Sequence, residues 1–131
     1  MEDMHMHLKK GVTDISIMQK YVEKCKEMKL NRVLFLDHGN RMSPKHTPVL
    51  NETKVIDKFF ENIKIVKENN PDIEINAGIE SDFSYDEEFK EKEIKILKSY
   101  PFDYIIGSVH GMEKVNYIDY LQANIDIQLI L

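Results

Sequence analysis

The chain has 131 residues, of which 42% are hydrophobic, 9% aromatic and 31% charged, the make-up of one folded domain rather than of a disordered or fibrous chain. Its one cysteine, Cys25, excludes an intrachain disulfide framework and fits a reducing compartment. A net charge of -5 speaks against a nucleic-acid-binding surface, no apolar run approaches the roughly 18 residues of a membrane span, and Glu2 and Asp3 spoil a signal-peptide start, so a cytoplasmic protein is expected.

The hydrophobic period switches repeatedly along the chain. Met4, Met6 and Leu8 alternate with His5 and His7 and predict a short strand. Ile17, Met18, Tyr21, Val22, Cys25 and Met28 recur at three- and four-residue spacing, a helix opened by Asp14 or Ser16 and stopped at Asn31. The continuous run Val33-Leu34-Phe35-Leu36 reads as a strand buried on both faces. A polar loop from His38 to Asn51 follows, broken by Gly39, Pro44 and Pro48.

Val55, Ile56, Phe59, Phe60, Ile63 and Val66 mark a second helix, which Asn69-Asn70-Pro71 stops. Ile73, Ile75, Ala77 and Ile79 predict a third strand, and Phe89, Ile94, Leu97 and Tyr100 a charge-rich third helix ending before Pro101. The stretch from Tyr104 to Val109 is a fourth strand. The fold class is therefore α/β, a parallel βαβαβαβ sheet with right-handed crossovers, either half of an α/β barrel or a small open sheet. Residues 1–131 read as one domain with βα units over 2–110 and a less regular tail over 111–131. In that tail, 117–123 read as a short helix and 125–131 alternate like a fifth strand. The end on Leu129-Ile130-Leu131 predicts a fold cut short or one completed by a partner.

In parallel sheets, function gathers where strands end. Each of the four strands delivers a metal-ligand residue type there: His5 and His7, then Asp37-His38, then Glu80, then His110. Four of the chain's five histidines fall at these exits. Residues two apart in a strand share a face, so His5 and His7 can bind one cation or two neighbouring ones. Imidazole with carboxylate suits zinc, manganese or iron, and no cysteine lies near enough to suggest a structural thiolate site. Glu80 can bridge two ions, while Asp3 and Asp37 stand where they can orient the imidazoles. His46, beside Lys45 in mid-loop, reads as an exposed residue.

The segments Asp3-Met4-His5-Met6-His7, Phe35-Leu36-Asp37-His38-Gly39, Ala77-Gly78-Ile79-Glu80-Ser81-Asp82-Phe83 and Phe102 to His110 resemble the polymerase and histidinol phosphatase (PHP) superfamily, and among its branches the histidinol phosphatases. That resemblance implies the first half of a distorted (β/α)7 barrel with two or three divalent metal ions at its carboxyl face. It implies that His5, His7, His38, Glu80 and His110 are metal ligands, with Glu80 bridging and with Glu80 and His110 catalytic. The implied reaction is hydrolysis of a phosphate monoester, L-histidinol phosphate to L-histidinol in histidine biosynthesis, with hydroxide generated at the metals as nucleophile. The family's later strands supply a further histidine and an Asp-x-His pair. Residues 111–131 contain neither, so fewer ions are expected. Asp14, near the first helix, is a weak candidate ligand.

A phosphate substrate also calls for fixed positive charge. Arg41, just after the second motif, is a candidate for a bidentate phosphate contact, with Lys45 behind it. Arg32 lies at the opposite end of its strand and reads as surface charge. The expected partner is a small phosphorylated metabolite, with neither nucleic acid nor membrane involved. A homo-oligomer would cover the open sheet edge. Two other readings are a catalytically silent remnant acting as a metal-binding or self-associating module, and a PHP-type nuclease, which the acidic charge disfavours.

Overall fold

A computed structural model describes residues 1–39, 50–82, 86–109, 111–112 and 115–116. In chain order they form β1 (Glu2–His7), a 3-10 turn (Lys9–Val12), α1 (Ile15–Glu27), β2 (Arg32–Leu36), α2 (Thr53–Asn69), β3 (Glu74–Asp82), α3 (Glu87–Ser99) and β4 (Tyr104–Ser108). Strands β1 to β4 are parallel, lie side by side in sequence order and curl into a half-barrel. This is the expected βαβαβαβ order. Two short strands, β5 (Gly111–Met112) and β6 (Val115–Asn116), pair antiparallel with each other, which the sequence pattern did not suggest. The readings of a helix over 117–123 and a strand over 125–131 lie outside the described residues.

Each helix buries the stripe its spacing predicts. Met18, Val22 and Cys25 of α1 and Ile56, Phe59, Ile63 and Val66 of α2 pack with Val33 and Phe35 of β2 and with Ile75, Ala77 and Ile79 of β3. Leu34 and Leu36 alternate to the other, concave face and are equally buried, which explains why β2 reads as an unbroken apolar run. A Cβ on Gly78 would sit 2.9 Å from Leu34 Cδ1 and 3.2 Å from the Tyr104 carbonyl oxygen. Glycine there lets β3 approach its neighbours closely.

The local starts and stops have identifiable causes. Asp14 caps α1 by accepting the Ser16 amide at 2.9 Å, and Asp86 caps α3 by accepting the Phe89 amide at 3.0 Å. Helix α1 ends at Glu27, before the expected stop at Asn31. The Lys29 amide bonds back to the Lys26 carbonyl and the Leu30 amide to the Cys25 carbonyl, each at 2.9 Å, and this closes the helix. Asn31 instead joins strands, accepting the Glu74 amide and donating to the Met1 carbonyl, both at 3.0 Å.

The third strand runs past the predicted Ile79 to Asp82, because Gly78 to Asp82 pair in register with Tyr104 to Ser108. Helix α3 is the least buried of the three. Glu93 is its one buried residue, while Ile94 is exposed. On the outer strand β4, Tyr104 and Ile105 also remain exposed. No described helix is long and apolar enough to cross a membrane.

Candidate metal centre

Three strand ends meet on the concave side. The Leu8 amide donates to the Leu36 carbonyl at 3.1 Å, the Glu80 amide to the Asp37 carbonyl at 3.0 Å, and the Gly39 amide to the Glu80 carbonyl at 2.9 Å. These backbone bonds fix the ends of β1 and β2 and the middle of β3 against one another. Glu80 therefore stands inside a strand rather than in a loop, and its side chain is almost fully buried.

Around that carboxylate three imidazoles converge. Glu80 Oε2 lies 3.2 Å from His5 Nε2, 3.1 Å from His7 Nε2 and 3.4 Å from His38 Nδ1. The two Nε2 atoms of His5 and His7 are themselves 2.9 Å apart. Donors bound to one cation at about 2.0–2.2 Å sit about 3.3 Å from each other in a tetrahedron and about 2.9 Å along an octahedral edge. The spacing thus fits a shared divalent ion. Candidate ligand groups overlap at His7: His5, His7 and Glu80 in one, and His7, Asp37 and His38 in the other.

Sequence spacing alone does not account for the aim of His5. Between Asp3 and Met6 the β1–β2 register slips, so that β1 advances three residues while β2 advances from Val33 to Phe35. This extra residue is a β-bulge, a device that redirects side chains. The His5 amide, at the bulge, is taken up by Asp3 Oδ1 at 3.0 Å. Asp3 accordingly holds the His5 backbone. The side-chain exposures run from 7% at Glu80 through 15% at His38 and 25% at His7 to 49% at His5. The cluster therefore opens to solvent on the β1 side.

Asp37 is 1% exposed. Its Oδ1 accepts the His38 amide at 2.8 Å and lies 3.6 Å from His7 Nδ1, and its Oδ2 accepts the Lys9 amide. On the β4 side, Ser108 Oγ donates to Asp82 Oδ1 at 2.7 Å and ties the end of β4 to that of β3. His110, Arg41, Lys45 and His46 lie outside the described residues. Asp14, the weak candidate near α1, is committed to its cap. The Ser16 hydroxyl and amide hold its carboxyl below the usual range. Arg32 pairs with Glu74 at 3.0 Å at the far end of the sheet, and that partner raises its already high pKa.

Two cations were missed in the sequence. Lys9 and Lys10 follow His7 by two and three residues, are exposed, and form no ion pair among the described residues. Their position immediately after a His-x-His exit was the available signal. A second missed feature is the burial of Glu93, whose Oε1 would be 2.6 Å from a Cβ on Gly39. Glycine at 39 lets α3 close over the exit of β2.

Comparison with known protein families matches the PHP domain over residues 3–130. The chain belongs to the PHP domain family. No curated protein matches it. PHP domains are generally hydrolytic and usually bind divalent metals. Among the described residues, the chain has His, Glu and Asp groups that could hold such an ion.

Proposed function

We propose that this PHP domain is a metal-dependent phosphate monoester hydrolase of the histidinol-phosphatase branch, with L-histidinol phosphate as substrate and a cytoplasmic place in histidine biosynthesis. The observation that carries the reading is the convergence of His5, His7 and His38 nitrogens within 3.4 Å of one buried oxygen of Glu80. The branch and the substrate are supported by the resemblance of the four motifs. In this reading His5, His7, His38 and Glu80 would hold the cations, and the resemblance adds His110 as a further ligand.

Divalent ions bound there would supply Lewis acidity toward a phosphoryl oxygen and acidify a nearby water. The chain's own residues do the rest. Glu80 and the imidazoles fix the position of positive charge, and Asp3 and Asp37 hold the backbone that aims them. Lys9 and Lys10, which form no ion pair among the described residues, place positive charge at the open side, where a phosphate dianion would enter. The low exposure of Glu80 limits the screening of its carboxylate by water.

The test is phosphate release from L-histidinol phosphate and from p-nitrophenyl phosphate by protein loaded with zinc, manganese or iron. Turnover of both, lost in Glu80→Gln, is the expected result. Turnover of the generic ester alone would remove the histidinol-phosphatase assignment. Absence of any turnover in a metal-loaded chain would remove the hydrolase reading.

One observation favours a second reading, a self-associating module. Tyr104, Ile105 and Val109 are 41%, 53% and 49% exposed on or just beyond the edge strand β4, an apolar strip that a second copy would cover. Light scattering after size exclusion decides it: a dimer that Ile105→Glu converts to monomer supports this module, and a monomeric wild type ends it.

A further inference from the structure

The 3-10 turn Lys9–Val12 directly follows β1 and has two unlike sides. Lys9 and Lys10 are exposed, whereas Gly11 and Val12 are buried. The buried side is wedged against two helices. The Gly11 amide closes onto the Leu8 carbonyl at 2.8 Å, and a Cβ on Gly11 would sit 2.9 Å from Ile17 Cγ2 of α1. The Val12 carbonyl accepts Asn62 Nδ2 of α2 at 3.2 Å. A buried carbonyl needs such a donor, and α2 supplies it from its middle turn.

Two residues of this arrangement are not the most stable choices for the fold. Lys9 has φ 51°, a left-handed backbone that glycine adopts with less strain. Asn62 is fully buried, and among the described residues its Oδ1 has no hydrogen-bond partner. A buried acceptor without a partner destabilises the fold, and asparagine is a poor residue for a helix interior. Departures of this kind gather at functional sites. Both act here on one turn, the one that carries Lys9 and Lys10 at the open side of the imidazole cluster.

We propose that residues 9–12 are a preformed anion-binding turn, pinned from behind by Asn62, whose two lysines select a phosphate monoester dianion over a diester. The inference rests on the hydrolase reading above and adds the substrate class that the site prefers. At neutral pH a monoester carries close to two negative charges and a diester one, so two fixed cations attract the monoester more strongly. A pinned turn holds those cations in place before the substrate arrives, and binding then loses less freedom. Asn62 touches no substrate. It acts through Val12, as a positioning residue.

The experiment uses the metal-loaded full chain with p-nitrophenyl phosphate and bis(p-nitrophenyl) phosphate, and with inorganic phosphate as a binding probe in calorimetric titration. Lys9→Gln combined with Lys10→Gln should lower kcat/KM for the monoester at least about tenfold more than for the diester, and weaken phosphate binding by a similar factor. Asn62→Leu keeps the branching of the side chain without the donor. It should lower the preference for the monoester about three- to tenfold, through KM rather than kcat. Added to the two lysine substitutions, it should lower that preference no further, because the pin acts only through the cations. Equal losses on the two esters in the lysine variant would overturn the proposal, and so would an Asn62→Leu effect that is absent or adds in full to theirs. If Asn62→Leu does not fold, hydrogen exchange of the wild-type Gly11 amide decides the pin: strong protection supports it, and exchange as fast as in an exposed loop contradicts it. A wild type that hydrolyses neither ester sinks the hydrolase reading separately. Phosphate affinity then judges the turn, and a difference under about twofold between wild type and the lysine variant, or no binding in either, overturns it.

Discussion

Glu80 Oε2 and His5 Nε2 stand 3.2 Å apart across 75 residues of sequence, one on the middle of β3 and the other on a bulge in the edge strand β1. A buried carboxylate needs a partner of opposite charge or several donors. Here the partners are imidazole nitrogens of His5, His7 and His38. A divalent cation would complete the balance, and this makes Glu80 the most informative position to change. Glu80→Gln keeps the size and removes the charge. It should lower zinc or manganese affinity by at least about 100-fold, more than loss of an outer partner would, while circular dichroism stays native. Unchanged affinity would take Glu80 out of the centre.

Gly78 tests the packing beneath the site. The Cβ of Gly78→Ala would meet Leu34 Cδ1 at 2.9 Å and the Tyr104 carbonyl at 3.2 Å. The leucine methyl can yield, but the backbone oxygen of β4 cannot move without disturbing the β3–β4 ladder. The substitution should cost about 1–3 kcal/mol, the usual range for overpacking. The urea midpoint should fall at constant slope.

The cap on α1 predicts a pH dependence. The Ser16 hydroxyl and amide hold the Asp14 carboxyl below its ordinary value of 3.8. A carboxyl with a depressed folded-state pKa stabilises the fold fully above its unfolded pKa and loses that contribution as pH falls through the folded one. Asp14→Ala should therefore lower the Tm at pH 7, and its gap from wild type should close as acid protonates Asp14 below the ordinary carboxylate range. A gap that persists unchanged at low pH would mean that the carboxylate charge contributes nothing to the cap.

Much of this was legible in the sequence, and the residues show why. His5 and His7, Asp37-His38 and Glu80 could be grouped because a parallel sheet sends all strand ends to one side, and the period changes placed those ends within about three residues. The bulge at Met4 and His5 could not be read, because it exists only relative to Val33 and Phe35 on the neighbouring strand. Asp37 read as an acid near imidazoles. Its commitment to the amides of Lys9 and His38 depends on where β1 turns, which is a tertiary fact. Glu93 looked like one charge among many on a polar helix, and its burial depends on Gly39 standing opposite.

Metal addition provides a prediction that needs no substrate. Any ligand that binds the folded chain and not the unfolded one stabilises it, by about 2.7 kcal/mol at a hundredfold excess over Kd. The donors come from β1, β2 and β3, which lie far apart in the chain, so the unfolded state cannot reproduce the cluster. Zinc or manganese should therefore raise the Tm of the wild type, and a chelator should reverse the rise. His7→Ala should abolish most of it, because His7 belongs to both candidate ligand groups. His5→Ala removes a donor from one group alone and should keep a smaller shift. Equal shifts in wild type and His7→Ala would place the bound ion elsewhere on the molecule and detach the metal chemistry from these strand ends.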